Sequence, residues 1–308
     1  LRGGTAQPRL AKRLVYGAIA VLARCLGAAV RALPWAAALR VGAALGWLAA
    51  RALPGRARIA RQNLAQAFPE LERHERAALL HEHFAHLGKC IVELLRFPMW
   101  RAQFSGRVRV EGQEHLDVAS ACGRGIVVFT GHTGNWEILA PLWPLLHPRP
   151  MVVAQPMRNP SLERLVSACR QVNGLTIVPR EGSLRRLVAG LREGRAVGLL
   201  ADQDAGPGGV FVPFFGRLAS CEPSPVVLAR RLACPLLLCL AFRDPDGTHR
   251  VVFESVHAPV AENDAAADRA TLAYLYQRLE THIRACPSQW LWVHRRWKTR
   301  PAGIESSP

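Results

Sequence analysis

An imidazole and a carboxylate stand five positions apart in the run Gly131 to Glu137 (GHTGNWE). An alcohol is a poor nucleophile until a base takes its proton, and an imidazole does this well near neutral pH. A carboxylate on the second ring nitrogen fixes the tautomer and stabilises the imidazolium that forms. His132 and Glu137 are therefore a candidate base and partner, brought together if Gly131 and Gly134 make the turn tight. Asn135 is placed to cap the helix that follows, leaving backbone N–H groups free for an anion or oxyanion. The same residues also suit a plain helix start, with His132 as cap and Glu137 as a solvated first-turn acid. Spacing alone does not separate the two. Other candidates lie where predicted strands end. Asp202 and Asp204 follow the apolar run 196–201, where they would hold hydroxyls or help orient His132. Arg158 and Arg180 follow two further strands and would bind a phosphate, or would simply be solvated. No His or further acid converges on Asp202 and Asp204, so a metal is not expected.

These residues need a scaffold that gathers strand ends. The runs 125–130, 151–154, 175–178 and 196–201 read as strands, separated by helices near 136–146, 161–171 and 183–193. Strands alternating with helices at this spacing predict an α/β domain with a mainly parallel sheet flanked by helices. Ligand sites in such sheets lie beyond the carboxyl ends of the strands. A glycine- and proline-rich loop is expected at 202–223, then a helix, two strands and a helix from 267 to 285. Residues 1–55 form a separate helical segment, and 56–308 the α/β domain.

The net charge is +17, and no Asp or Glu precedes Glu70. Bases from Arg2 and Arg9 to Arg61 are interleaved with Ala, Leu, Val, Gly and Trp, a pattern suited to an anionic membrane surface. Nucleic acid is not expected as a partner, since zinc-finger spacing, RNP-like motifs and leucine heptads are all missing. Residues 15–33 are apolar and about the length of a membrane span, but Arg24 and Arg31 interrupt them. An anchor or an amphipathic hairpin on the bilayer is the expectation. None of the eight cysteines forms a C-x-x-C pair, so all are read as small reduced core residues. His81, His83 and His86 lack the second His of H-E-x-x-H and are read as surface positions. The basic, tryptophan-rich tail 289–300 fits either an interfacial belt or core tryptophans beside solvated charges.

Beyond these residues, the chain resembles the late acyltransferases of lipid A biosynthesis, within the glycerolipid acyltransferase-like group that shares H-x-x-x-x-D/E. GHTGNWE carries the resemblance together with Asn63-Leu64, Ala67 to Glu70 (AFPE), Met157 to Pro160 (MRNP), Ala201 to Asp204 (ADQD) with Gly206, Val210 to Gly216 (VFVPFFG) and Gln289 to Pro301 (QWLWVHRRWKTRP). The resemblance implies His132 as catalytic base with Glu137 as partner. It implies acyl transfer from a thioester of acyl carrier protein or coenzyme A to a hydroxyl of a lipid A precursor. Because a thioester is already activated, no cofactor is implied. Arg158 would then meet the donor's phosphopantetheine, and the location would be the cytoplasmic face of the inner membrane. Two alternatives stand beside this: another lipid acceptor, such as a lysophospholipid, phosphatidylinositol mannoside or ornithine-type lipid, and a non-catalytic basic membrane- or nucleic-acid-binding protein.

Overall fold

Prolines punctuate the N-terminal third, because a ring without an N–H cannot continue a helix. In the computed structural model, which describes residues 10–104, 106–257 and 264–301, Pro34 separates α1 (Leu10–Ala32) from α2 (Trp35–Ala52). Arg2 and Arg9 lie outside the described residues. Pro54 opens α3 (Pro54–Ala67), bent 97° from α2, and a Glu72/Glu75 capping box opens α4 (Arg73–Arg96). α2 lies directly on α4. A Cβ on Gly46 would come within 1.9 Å of the Phe84 carbonyl oxygen, and one on Gly88 within 1.9 Å of that of Gly42. Glycine alone permits this approach. Arg31 donates to the Leu95 carbonyl, and buried Arg96 donates to those of Val30 and Leu33, tying the end of α1 to α4. Farther out, α1 exposes Leu14, Val15, Ile19, Val21 and Leu22. Its residues Leu14–Ala32 are long and apolar enough to cross a membrane.

After the short α5 (Trp100–Gln103) the α/β portion runs β1 (Val108–Glu111), α6 (Gln113–Ala121), β2 (Ile126–Thr130), α7 (Leu139–Leu146), β3 (Met151–Ala154), α8 (Pro160–Arg170), β4 (Thr176–Pro179), α9 (Ser183–Arg192) and β5 (Ala196–Leu200). A hairpin of β6 (Val210–Phe214) and β7 (Arg217–Cys221), then α10 (Ser224–Leu232), β8 (Leu236–Arg243), β9 (His249–Val256) and α11 (Asp264–Ala285) complete it. The seven-stranded sheet has the order β1-β9-β8-β2-β5-β3-β4 and is parallel except where β9 meets β8. Every residue of β2 and β8 is buried, as expected of strands covered on both faces. Ile126 and Val128 enter one core, Val127 and Phe129 the other.

Four expectations change. The loop 202–223 contains the β6–β7 hairpin, closed by Phe215 and Gly216 at φ 52° and 68°. That turn wants Asn-Gly, and a Phe there gives no signal. His83 and His86 are buried, on the side of α4 that faces the domain. Cys25 and Cys122 are exposed, so they are not core residues. In the tail, Trp290, Trp292 and Arg296 are buried, which removes the interfacial belt at these positions.

Candidate active site

β2 and β5 are neighbours in parallel register, with Thr130 opposite Leu200. The residues leaving their carboxyl ends therefore meet, although they are 70 positions apart in sequence. His132 Nδ1 lies 2.6 Å from Asp202 Oδ1, and the His132 backbone N–H donates to Oδ2 at 2.7 Å. The Trp290 indole N–H donates to the same Oδ2 at 2.7 Å. Burial alone would raise the Asp202 carboxyl. The adjacent His132 and these three hydrogen bonds outweigh burial and hold it at about 2. An ionised Asp202 must receive a proton donor from the ring, so Nδ1 carries the hydrogen, and in the neutral ring Nε2 is then the acceptor.

The turn that carries His132 is pinned from two sides. Gly134 takes φ +48°, and a Cβ there would fall 2.2 Å from the Ala241 carbonyl oxygen on β8. Across the turn, Gly134 N–H donates to the Gln289 carbonyl at 2.7 Å and Leu291 N–H to that of His132 at 3.1 Å. Thus the tail braces the turn that carries His132.

Glu137 is placed elsewhere than the sequence suggested. A short 3-10 turn over Trp136–Ile138 carries its carboxylate to α8, where Arg170 Nε and Nη2 grip it at 2.7 and 2.5 Å. The carboxylate hydrogen-bonded to the imidazole is that of Asp202. Glu137 reaches the ring only indirectly: it accepts from the Trp136 indole at 3.2 Å, and Trp136 packs edge-on to His132 with centroids 5.1 Å apart.

Asn135 makes no side-chain cap bond. It is buried, and its amide donates to Glu93, which also holds Arg243 and His249. Asp204 is occupied as well. Its carboxylate accepts from Gly206 N–H and from the Thr299 N–H and hydroxyl, so it ties the tail to the β5–β6 loop and has no contact with His132. Arg180 stands exposed at the cavity mouth, 3.9 Å from Glu222. Arg158 is exposed on the loop before α8 and does not line the cavity. Three contributors escaped sequence reasoning: Arg170, Trp290 and Gln203. Trp290 and Gln203 stand inside the tail and ADQD motifs, which was their only signal. Arg170 closes α8, whose Asn159 cap accepts from the N–H groups of Ser161 and Leu162 and fixes where the helix starts.

The His132 ring opens on a cavity of about 520 Å³. β3 pairs with β5 at only two positions, Met151 with Val197 and Val152 with Gly198, and residues of both strands line the cavity. Apolar walls come from both faces of the sheet: Val128, Leu139 and Trp143 on one, Leu187 and Leu228 on the other. Among the described residues, no group of three or more His, Cys, Asp or Glu is arranged to hold a metal ion. A base at the mouth of an apolar slot fits deprotonation of a hydroxyl beside a molecule with a long hydrocarbon part.

The family model described as bacterial lipid A biosynthesis acyltransferase matches residues 8–299. The chain is 32% identical over 283 residues to the lipid A biosynthesis palmitoleoyltransferase of Escherichia coli, covering 89% of each chain. It is 30% identical to the lipid A biosynthesis lauroyltransferase of the same organism, again with 89% of each covered. A phosphatidylinositol mannoside acyltransferase of Mycobacterium tuberculosis is 28% identical, over 82% of this chain and 87% of that one.

Proposed function

The chain belongs to the bacterial lipid A biosynthesis acyltransferase family and is an acyltransferase; we propose that it moves a fatty acyl group from a thioester to a hydroxyl of a lipid A precursor. The observation that carries the reading is the His132–Asp202 pair at the mouth of the apolar slot. The acyl chain enters the slot, where burial of each methylene contributes about 0.8 kcal/mol. The thioester carbonyl stays at the mouth, and His132 Nε2 takes the proton of the acceptor hydroxyl as its oxygen attacks. Asp202 holds the tautomer and stabilises the imidazolium. Glu137, with Arg170 and Trp136, braces the ring. The proton then passes to the departing thiolate. Because the thioester is already activated, the step needs no metal or redox cofactor.

The donor is an acyl thioester of acyl carrier protein or coenzyme A. α1 anchors the protein at the inner membrane, with the basic surface against anionic headgroups and the site on the cytoplasmic side. Arg180, at the mouth, is placed to meet a phosphate of donor or acceptor. The mycobacterial relative gives weight to a second acceptor, a phosphatidylinositol mannoside.

The test is transfer by detergent-solubilised protein from either thioester to a tetra-acylated lipid A precursor. The product should be one acyl chain heavier, and His132→Ala should slow its formation about 10⁴-fold while the protein stays folded. Transfer to phosphatidylinositol mannoside alone would replace the acceptor. Full activity of a folded His132→Ala protein would sink the mechanism.

A further inference from the structure

Attack on a thioester places negative charge on the carbonyl oxygen, and that charge needs hydrogen-bond donors fixed in advance. Backbone amides of the His132 turn are the obvious source, but two of them are already taken. His132 N–H serves Asp202, and Gly134 N–H serves the Gln289 carbonyl. The side chain that reaches the reactive edge of the ring is Gln203. Its amide nitrogen lies 3.4 Å from His132 Nε2, and it lines the cavity. Since Nε2 is an acceptor, the end of the amide facing it is the N–H end. That side chain makes no other hydrogen bond among the described residues. Asp202 and Asp204 on either side of it are both locked into the fold. Gln203 therefore has no second hydrogen-bonding task among the described residues, and it is half-buried beside the His132 ring.

We infer that Gln203 is a catalytic residue whose side-chain amide donates to the oxyanion of the tetrahedral intermediate; this rests on the thioester reading above. In the free enzyme the amide occupies the Nε2 lone pair. When the acceptor hydroxyl takes that position, the amide is released toward the neighbouring carbonyl oxygen. The hydroxyl proton goes to Nε2, the oxygen–carbon bond forms, and the carbonyl electron pair moves onto the oxygen facing Gln203. Collapse of the intermediate expels the thiolate, which recovers the proton from His132. The amide N–H is required in the transition state, while the ground state needs only the space it fills.

Gln203→Met keeps the volume and removes the donor; Gln203→Glu removes the donor and adds charge. Both are measured in two reactions: transfer to the lipid acceptor, and the slower hydrolysis of the acyl thioester by water without acceptor. The same oxyanion forms in each, so kcat should fall about 10²–10³-fold in both. KM for the thioester and the melting temperature should stay close to wild type. Hydrolysis that survives while transfer falls would overturn the proposal, because Gln203 would then act on the acceptor. Transfer by Gln203→Met within about threefold of wild type would overturn it too. Hydrolysis needs no acceptor. A wild-type enzyme that hydrolyses the thioester but does not acylate the lipid A precursor would refute the acceptor assignment, while the hydrolysis rates of the two variants would still decide the role of Gln203.

Discussion

His249 Nε2 lies 3.1 Å from Glu93, and His132 Nδ1 lies 2.6 Å from Asp202, yet the first pair is fully buried while His132 lines the cavity. Both carboxylates are buried and both are held ionised. For Glu93, burial pushes the carboxyl up, and His249 and Arg243 overcome this and hold it well below the usual range. Arg243 grips it through both terminal nitrogens, and the Asn135 amide adds a further bond. Among the described residues no arginine or lysine hydrogen-bonds to Asp202; its hydrogen-bond partners are the His132 ring and backbone and an indole. In the proposed mechanism its charge is thus left for the imidazolium that forms during reaction. On the same proposal the two groups act as a base and its orienting carboxylate where no guanidinium grips that carboxylate and the far nitrogen is open. They act as a strut where a guanidinium saturates the carboxylate and the histidine is sealed. The two pairs are joined, since Asn135 links Glu93 to the turn that carries His132.

Breaking each pair should separate these roles. Asp202→Asn presents an amide N–H to Nδ1, which moves the ring proton to Nε2 and abolishes the base. We expect kcat to fall about 10⁴-fold, with the folded state retained on a thermal melt. Glu93→Gln leaves Arg243 buried without a counter-charge. It should cost about 3–5 kcal/mol of stability, read from the urea midpoint, while kcat of the folded fraction stays within about threefold. Unchanged stability would contradict the strut. A pH-dependent effect comes from α4. Burial lowers His83 to about 4; burial, with a smaller contribution from Arg243, lowers His86 to about 3. The unfolded chain, with histidines near the ordinary 6.5, binds these protons first. Stability is therefore full above about pH 6.5 and is lost as pH falls toward 4, by up to about 1.4 kcal/mol per pH unit for each histidine. Equal urea midpoints at pH 7.5 and 5 would show that the two are not held neutral.

The sheet was readable because strands buried on both faces leave unbroken apolar runs such as Ile126 to Phe129, punctuated by helices of regular length. The β6–β7 hairpin was not, because its turn uses Phe215 where asparagine would signal it. His132 stood out from its glycine-flanked motif. Its carboxylate partner was harder to identify, since sequence shows which segments are strands but not that β2 lies beside β5. Nearness in sequence favoured Glu137, and the 3-10 turn after Asn135 carries that side chain to Arg170 instead. The tail misleads for a related reason: tryptophans beside arginines resemble an interfacial belt, but Trp290 and Trp292 alternate with the partly exposed Leu291 and pack into the core.

Asp202, rather than Glu137, is the carboxylate hydrogen-bonded to His132, the proposed base, and kinetics can rank the two. The comparison is kcat for thioester-to-hydroxyl transfer by Asp202→Asn and by Glu137→Gln, measured side by side. Glu137→Gln keeps the Trp136 and Arg170 contacts in weakened form and should slow the reaction about 10–100-fold, well short of the roughly 10⁴-fold loss at Asp202. A reversed order, with Glu137→Gln the slower of two folded enzymes, would mean that Glu137 serves the base after all.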